Sequence, residues 1–233
     1  MILRNLNFSG AGSGIHINNS RNIWVDHSDF SPATQSSSSA PLLSITNGAD
    51  SVTVTNNIFR SHQGAPLDNA ITPAVQVGHS ESNSAEDAGK FRVTFAGNLF
   101  RDVRSAISFR FGTAHVMNSL FQNVTNGINT LNGADVLVET SVFEGAMVGK
   151  GVYSEPAGTT PGRASVKDVK GLGGEGELSV TAPAGNVTTD SLPYPYDWYV
   201  LGVDAVRESV LENAGSVLQF PSEEEEEGYG EEE

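Results

Sequence analysis

Apolar and polar residues alternate in short runs along most of the chain, and six of these runs end in phenylalanine. They are MILRNLNF ending at Phe8, IWVDHSDF at Phe30, VTVTNNIF at Phe59, VTFAGNLF at Phe100, HVMNSLF at Phe121 and VLVETSVF at Phe143. The Phe-to-Phe steps are 22, 29, 41, 21 and 22 residues, a base period near 22 with two longer steps assigned to loop insertions at 31–39 and 61–90. A second apolar run sits within the period, at Gly14-Ile15-His16-Ile17, Leu42-Leu43-Ser44-Ile45, Ile107-Ser108-Phe109 and Gly127-Ile128-Asn129. Turn residues such as Asn18-Asn19-Ser20 and Asn47-Gly48-Ala49-Asp50 separate it from the next strand. Strands this short with a period of two cannot bury an inner face alone, whereas coils stacked on one another can. The pattern predicts an all-β chain wound as a parallel β-helix, since a leucine-rich repeat needs a Leu lattice and helical repeats need a 3.6-residue period, and both are missing here.

The position three residues before each Phe reads Asn5, His27, Asn56 and Asn118, with Gly97 and Thr140 as exceptions. Stacked amides there are expected to hydrogen-bond from coil to coil, with His27 a member of the stack rather than a catalytic group. Beyond Gly151 the pattern weakens, as expected of degenerate final coils. Val203, Val206, Val210 and Leu211 then have helical spacing, which predicts a helix over 203–213 closed at Gly215 and lying on the β-helix wall. The expected organisation is a β-helix over 1–195, a helical segment over 196–220 and a disordered acidic tail over 221–233.

Charge narrows the functions. The net charge is −15, but eight of the negative charges are Glu223–Glu227 and Glu231–Glu233. Residues 1–222 therefore carry 13 positive and 20 negative side chains, a net −7, with no attraction for nucleic acid or an anionic membrane. No apolar run approaches the ~20 residues of a membrane span. Cysteine is absent, which excludes disulfide frameworks and thiol chemistry. The opening MILRNLNFSG has no signal-peptide pattern and starts in mid-coil, so an incomplete N-terminus is expected. Glycosylation sequons at Asn18, Asn123 and Asn186 permit a secreted eukaryotic origin.

Several ordered motifs resemble the pectate and pectin lyases of polysaccharide lyase family one. They are Asn22-Ile23-Trp24-Val25-Asp26-His27-Ser28-Asp29-Phe30, Val77-Gly78-His79-Ser80, Ala85-Glu86-Asp87-Ala88-Gly89-Lys90-Phe91-Arg92-Val93-Thr94 and Arg110-Phe111-Gly112. Downstream, Asn126-Gly127-Ile128-Asn129, Gly133-Ala134-Asp135-Val136-Leu137-Val138-Glu139, Tyr194-Pro195-Tyr196 and Asn213-Ala214-Gly215 match as well. The resemblance implies a right-handed parallel β-helix that is extracellular, monomeric and cleaves polygalacturonate by β-elimination, with Ca²⁺ as cofactor and pectic polysaccharide as partner.

The same resemblance locates departures. The family's calcium-binding carboxylates fall on Ser13, Ala40 and Ser44, its substrate-binding Lys falls near Pro73, and its catalytic Arg falls on Ser105. Arg110 matches a substrate-binding Arg. Arg104, offset by one from the family position and so expected on the opposite face of a strand, is the remaining catalytic candidate, and no metal ligands are assigned. Asp68, Glu81, Glu86 and Asp87 are the substitute acidic ligands should the correspondence slip across the insertions. The expected function is a pectate lyase, the alternative being an inactive relative that holds pectic or other cell-wall glycan.

Overall fold

The structure, a computed structural model, describes residues 1–9, 14–31, 40–61, 72–145, 150–155, 160–172, 178–192 and 198–220. Among the described residues seven coils each contribute a strand to each of two parallel sheets, and the first six also to a third. Sheet A holds Ile2–Arg4, Arg21–Asp26, Asp50–Thr55, Arg92–Ala96, Thr113–Met117, Asp135–Glu139 and Arg163–Lys167. Sheet B holds Asn7–Phe8, Asp29–Phe30, Ile58–Arg60, Leu99–Arg101, Leu120–Gln122, Val142–Glu144 and Lys170–Leu172. Sheet C holds Ile15–Asn18, Leu43–Thr46, Val75–Val77, Ser105–Arg110, Asn126–Leu131 and Lys150–Tyr153. This is a parallel β-helix, as the repeat predicts.

The phenylalanines explain why the coils stay in register. Phe8, Phe30, Phe59, Phe100, Phe121 and Phe143 form one column inside sheet B, with successive ring centroids 4.8, 4.8, 5.1, 4.9 and 4.3 Å apart and planes within 14°. Those separations match the ~4.8 Å spacing of hydrogen-bonded strands, so one coil's rise and one ring's stacking distance coincide. Slipping a strand by a single residue would turn its Phe out of the column.

The expected amide stack belongs one residue later. Asn5, His27, Asn56, Gly97, Asn118 and Thr140, with Asp168, all have positive φ, between 42° and 66°. They form the left-handed corner between sheets A and B, which favours Gly and Asn, and their side chains leave the core. The coil-to-coil ladder is made by Ser28, Asn57, Asn98, Ser119 and Ser141, all fully buried. The Ser28 N–H donates to Asn57 Oδ1 at 2.9 Å, the Asn57 N–H to Asn98 Oδ1 at 3.0 Å, the Asn98 N–H to Ser119 Oγ at 3.3 Å and the Ser119 N–H to Ser141 Oγ at 3.4 Å. A turn residue facing inward must satisfy backbone groups that no sheet reaches, and the buried amides and hydroxyls do so. His27 shares the outward corner, where its Nδ1 lies 2.8 Å from the buried carboxylate of Asp26.

The segment 61–90 is more than an inserted loop. Val75–Val77 inside it supplies that coil's strand of sheet C, and Glu81–Asn83 and Ser84–Asp87 are single helical turns. Three β-residues bounded by Pro73 and Gly78 are too short for the pattern to declare. The helix Val203–Asn213 has the predicted bounds. Its Val206, Val210 and Ala214 pack on Leu99, Leu120 and Val142, the outward residues of sheet B. Gly215 closes it with φ 96° and donates its N–H to the Asn56 carbonyl. Asn5 and Asn118, freed from the expected ladder, hold this segment to the wall through paired bonds to Leu218, and to Tyr199 and Leu201. The acidic tail over 221–233 lies outside the described residues.

Candidate functional site

Sheet C turns one column of side chains outward, and in register it reads His16, Ser44, Gln76, Ser108, Asn129 and Tyr153. Their neighbours Ile15, Leu43, Val75, Ile107, Ile128 and Val152 point into the core, because side chains alternate along a strand. The strand Ser105–Arg110 departs from strict alternation at its start. Ala106 and Ile107 are both buried in the core, at 0% and 1% exposure. Ser105 is thereby returned to the outer face, where its hydroxyl bonds the Tyr153 phenol. Burial and the nearby Glu155 push the Tyr153 hydroxyl up to about 12, so it stays protonated and serves as a donor.

Arg110 ends the same strand on the same face. Its Nη1 reaches the Gly78 carbonyl and the Ser108 hydroxyl only at 3.5 Å, and its buried Nε finds no partner. Burial lowers its pKa, against a smaller opposing effect of Glu81. A guanidinium withdrawn from water and held by long contacts is an under-satisfied cation facing the groove side of the sheet. Arg104 lies in the bend just before the strand and is half-buried; its carbonyl accepts the Asn126 N–H at 2.7 Å. Being outside the strand, it does not follow the strand's alternation.

At the far end of the sheet Lys150 sits 4.8 Å from the centre of the Tyr153 ring and 3.3 Å from Glu155. Asn129 exchanges two bonds with Glu155, donating from Nδ2 and accepting its backbone N–H, both at 3.2 Å. The alternating pattern marks Asn129 and Ser108 as outward but offers no sign that Glu155, with Lys150 and Tyr153, meets Asn129, which lies one coil and more than 20 residues back.

Of the substitute acids, Asp68 lies outside the described residues, and Glu81 and Glu86 are exposed. Asp87 is fully buried, where its Oδ1 accepts the Gly48 N–H at 2.8 Å and its Oδ2 has no partner. Burial raises its pKa against that bond. It pins the helical turn to the Asn47-Gly48 corner rather than facing the groove. Among the described residues no three His, Asp or Glu side chains converge on a point where a metal ion could sit. Calcium takes six to eight oxygens with carboxylates foremost, and the outer column offers hydroxyls, amides and one imidazole instead. Ser44 stands in that column, Ala40 is exposed and Ser13 lies outside the described residues, so the donor set among the described residues does not fit calcium.

The family model described as pectate lyase matches residues 3–218. The chain belongs to the pectate lyase family. Curated relatives include a probable pectate lyase A of Neosartorya fischeri and the pectate lyase A of Aspergillus niger. Each is 38% identical over 227 residues and covers 94% of this chain, which spans 64% and 63% of their respective lengths. Among solved structures, pectate lyase C from Erwinia chrysanthemi, at pH 9.5 with 30 mM Ca²⁺, superposes with a TM-score of 0.68 at 20% identity, covering 95% of this chain and 67% of that one. A pectate lyase from Bacillus sp. N165 in complex with trigalacturonate gives 0.63 at 19% identity, covering 92% and 67%. At those identities the superpositions establish the parallel β-helix of this pectate lyase family member, and the residues of its sheet C have to be read on their own chemistry.

Proposed function

We propose that this chain acts as an extracellular pectate lyase, taking polygalacturonate along the outer face of sheet C and cleaving it by β-elimination. The observation that supports this most is Arg110, a half-buried and under-satisfied guanidinium on that face of a pectate lyase family β-helix. The reaction removes the proton on the carbon next to the uronate carboxylate. That C–H pair forms the new double bond, and the glycosidic oxygen leaves with its electrons. Negative charge builds on the carboxylate in the transition state. A fixed guanidinium already stripped of water stabilises that charge more in the transition state than in the ground state. Half-buried Ser105 supplies a hydroxyl for sugar oxygens, while Ser108, Asn129 and the protonated Tyr153 are buried next to it. Arg104 is the residue assigned to proton removal on its place beside Ser105, a role in which its guanidinium has to enter the step neutral to accept the proton.

The test is release of unsaturated oligouronides from polygalacturonate, read by ultraviolet absorbance. Product is expected from the parent chain, with a loss of about 10²–10³-fold in Arg110→Ala. A second reading, retention of pectic glycan without cleavage, is favoured by Ser105 occupying the position of the family's catalytic Arg. Binding of polygalacturonate with no unsaturated product from correctly folded protein selects it and rejects the first.

A further inference from the structure

We infer that sheet C engages a polyuronate through direct ion pairs to two protein cations, Arg110 and Lys150, with no bridging divalent ion; this rests on the polygalacturonate reading above. A bridging cation needs carboxylates of the protein as well as of the substrate. The outer column, from His16 through Ser44, Gln76, Ser108 and Asn129 to Tyr153, has none. The connecting segments 10–13, 32–39, 62–71, 146–149, 156–159 and 173–177 hold three in sequence, Asp68, Glu175 and Glu177. Glu81 and Glu155 are single carboxylates, each already beside a cation.

The cations have the opposite character. Arg110 bears a desolvation penalty that its long contacts to Gly78 and Ser108 leave largely unrelieved, so an incoming carboxylate gains more from it than from a hydrated surface Arg. Lys150 is half exposed, its one ion pair to Glu155 is of the weak surface kind, and the Tyr153 ring beneath fixes its direction. In register Lys150 lies level with Asn126 and hence Ser105, two coils away and five residues along from Arg110. At about 4.8 Å per coil and 3.3 Å per residue the two sites are roughly 19 Å apart between backbones, before the reach of the side chains. That span suits an oligomer with regularly spaced carboxylates; Ser108, Asn129 and Tyr153 between them are only 8%, 6% and 3% exposed, so the two cations carry the contact. A monosaccharide cannot touch both.

Calorimetric titration of the full chain with trigalacturonate and with longer oligogalacturonates tests this, first in chelator and then with excess calcium. Affinity is expected to agree within about twofold in the two buffers, to fall about tenfold in Lys150→Gln and in Arg110→Gln, to recover in Lys150→Arg, and to weaken steadily with added sodium chloride. Circular dichroism of each variant reports folding, and exposed Lys150 provides the variant that cannot disturb the core. Binding lost in chelator and restored by calcium overturns the inference while leaving the polygalacturonate reading intact. Unchanged affinity in Lys150→Gln also overturns it. Absence of binding in both buffers overturns the polygalacturonate reading itself, and the inference with it.

Discussion

His115 Nε2 lies 2.9 Å from Glu139 Oε2, with both side chains buried on the outer face of sheet A. The edge of Trp198 covers the imidazole at a centroid distance of 5.2 Å. Thr189 and Lys167 donate to Glu139 Oε1 at 2.7 and 3.2 Å, so segments far apart in sequence meet on one carboxylate. Burial lowers the His115 pKa despite the glutamate. Burial alone would raise that of Glu139, but the bonds from Thr189, Lys167 and His115 outweigh it and bring it below its ordinary value.

Both shifts make the folded chain bind fewer protons than the unfolded one, so stability rises with pH through this range. The contribution of His115 is complete above its unfolded value of 6.5 and is lost as pH falls below it. That of Glu139 is complete above 4.5 and is lost as pH falls through its lower folded value. Thermal melts should therefore drop on acidification from neutrality, with the His115→Gln variant showing a flatter profile between pH 6.5 and 4.5. A parent melt independent of pH across that interval would refute the assignment.

The phenylalanine column should behave as one packed object. Phe100 is fully buried between Phe59 and Phe121, and Phe100→Ala is expected to cost about 3–5 kcal/mol in denaturant unfolding, with Phe100→Leu costing less. A cost under about 1 kcal/mol for the alanine variant would mean that the neighbouring rings close the gap.

The buried ladder makes a finer prediction. Asn98 accepts from the Asn57 N–H and donates from Nδ2 to the Val54 carbonyl at 2.8 Å. Asn98→Ala strands both, at roughly 1–3 kcal/mol each. Asn98→Ser should be milder, since Ser28, Ser119 and Ser141 fill the same place in other coils. Equal unfolding midpoints for the two variants would contradict this.

Asn118 combines a left-handed backbone, φ 48°, with the strap to Tyr199 and Leu201. Asn118→Gly keeps the backbone relaxed and removes only the strap, whereas Asn118→Ala adds strain of about 1 kcal/mol. Hydrogen exchange at Leu201 is expected to rise in both variants, with a further loss of global stability only in the alanine one. Protection at Leu201 unaffected in Asn118→Gly would show that the helix alone holds the segment.

Ser105→Arg tests the groove. The change removes the bond to Tyr153 and leaves Ala40 and Ser44 as they are, so release of unsaturated product is not expected to increase. A calcium-dependent gain in that single variant would place the cation site elsewhere.

The repeat of Phe-terminated alternating runs determined the parallel coils, and helical spacing the bounds of the C-terminal helix, because both periods are properties of neighbours along the chain; the family followed from the resemblance of ordered motifs. The same resemblance singled out Arg110. The same sequence misassigned Asn5, His27, Asn56 and Asn118, since whether a turn residue faces in or out depends on backbone handedness at the corner between two sheets. Only the tertiary structure decided that Ser105 meets Tyr153, that Lys150 shares a face with Arg110, and that Glu139 gathers His115, Lys167 and Thr189. Those meetings run across stacked coils, where residues more than 20 positions apart come level, and linear spacing has no means of expressing which outward side chains lean together once insertions of unequal length have shifted the count.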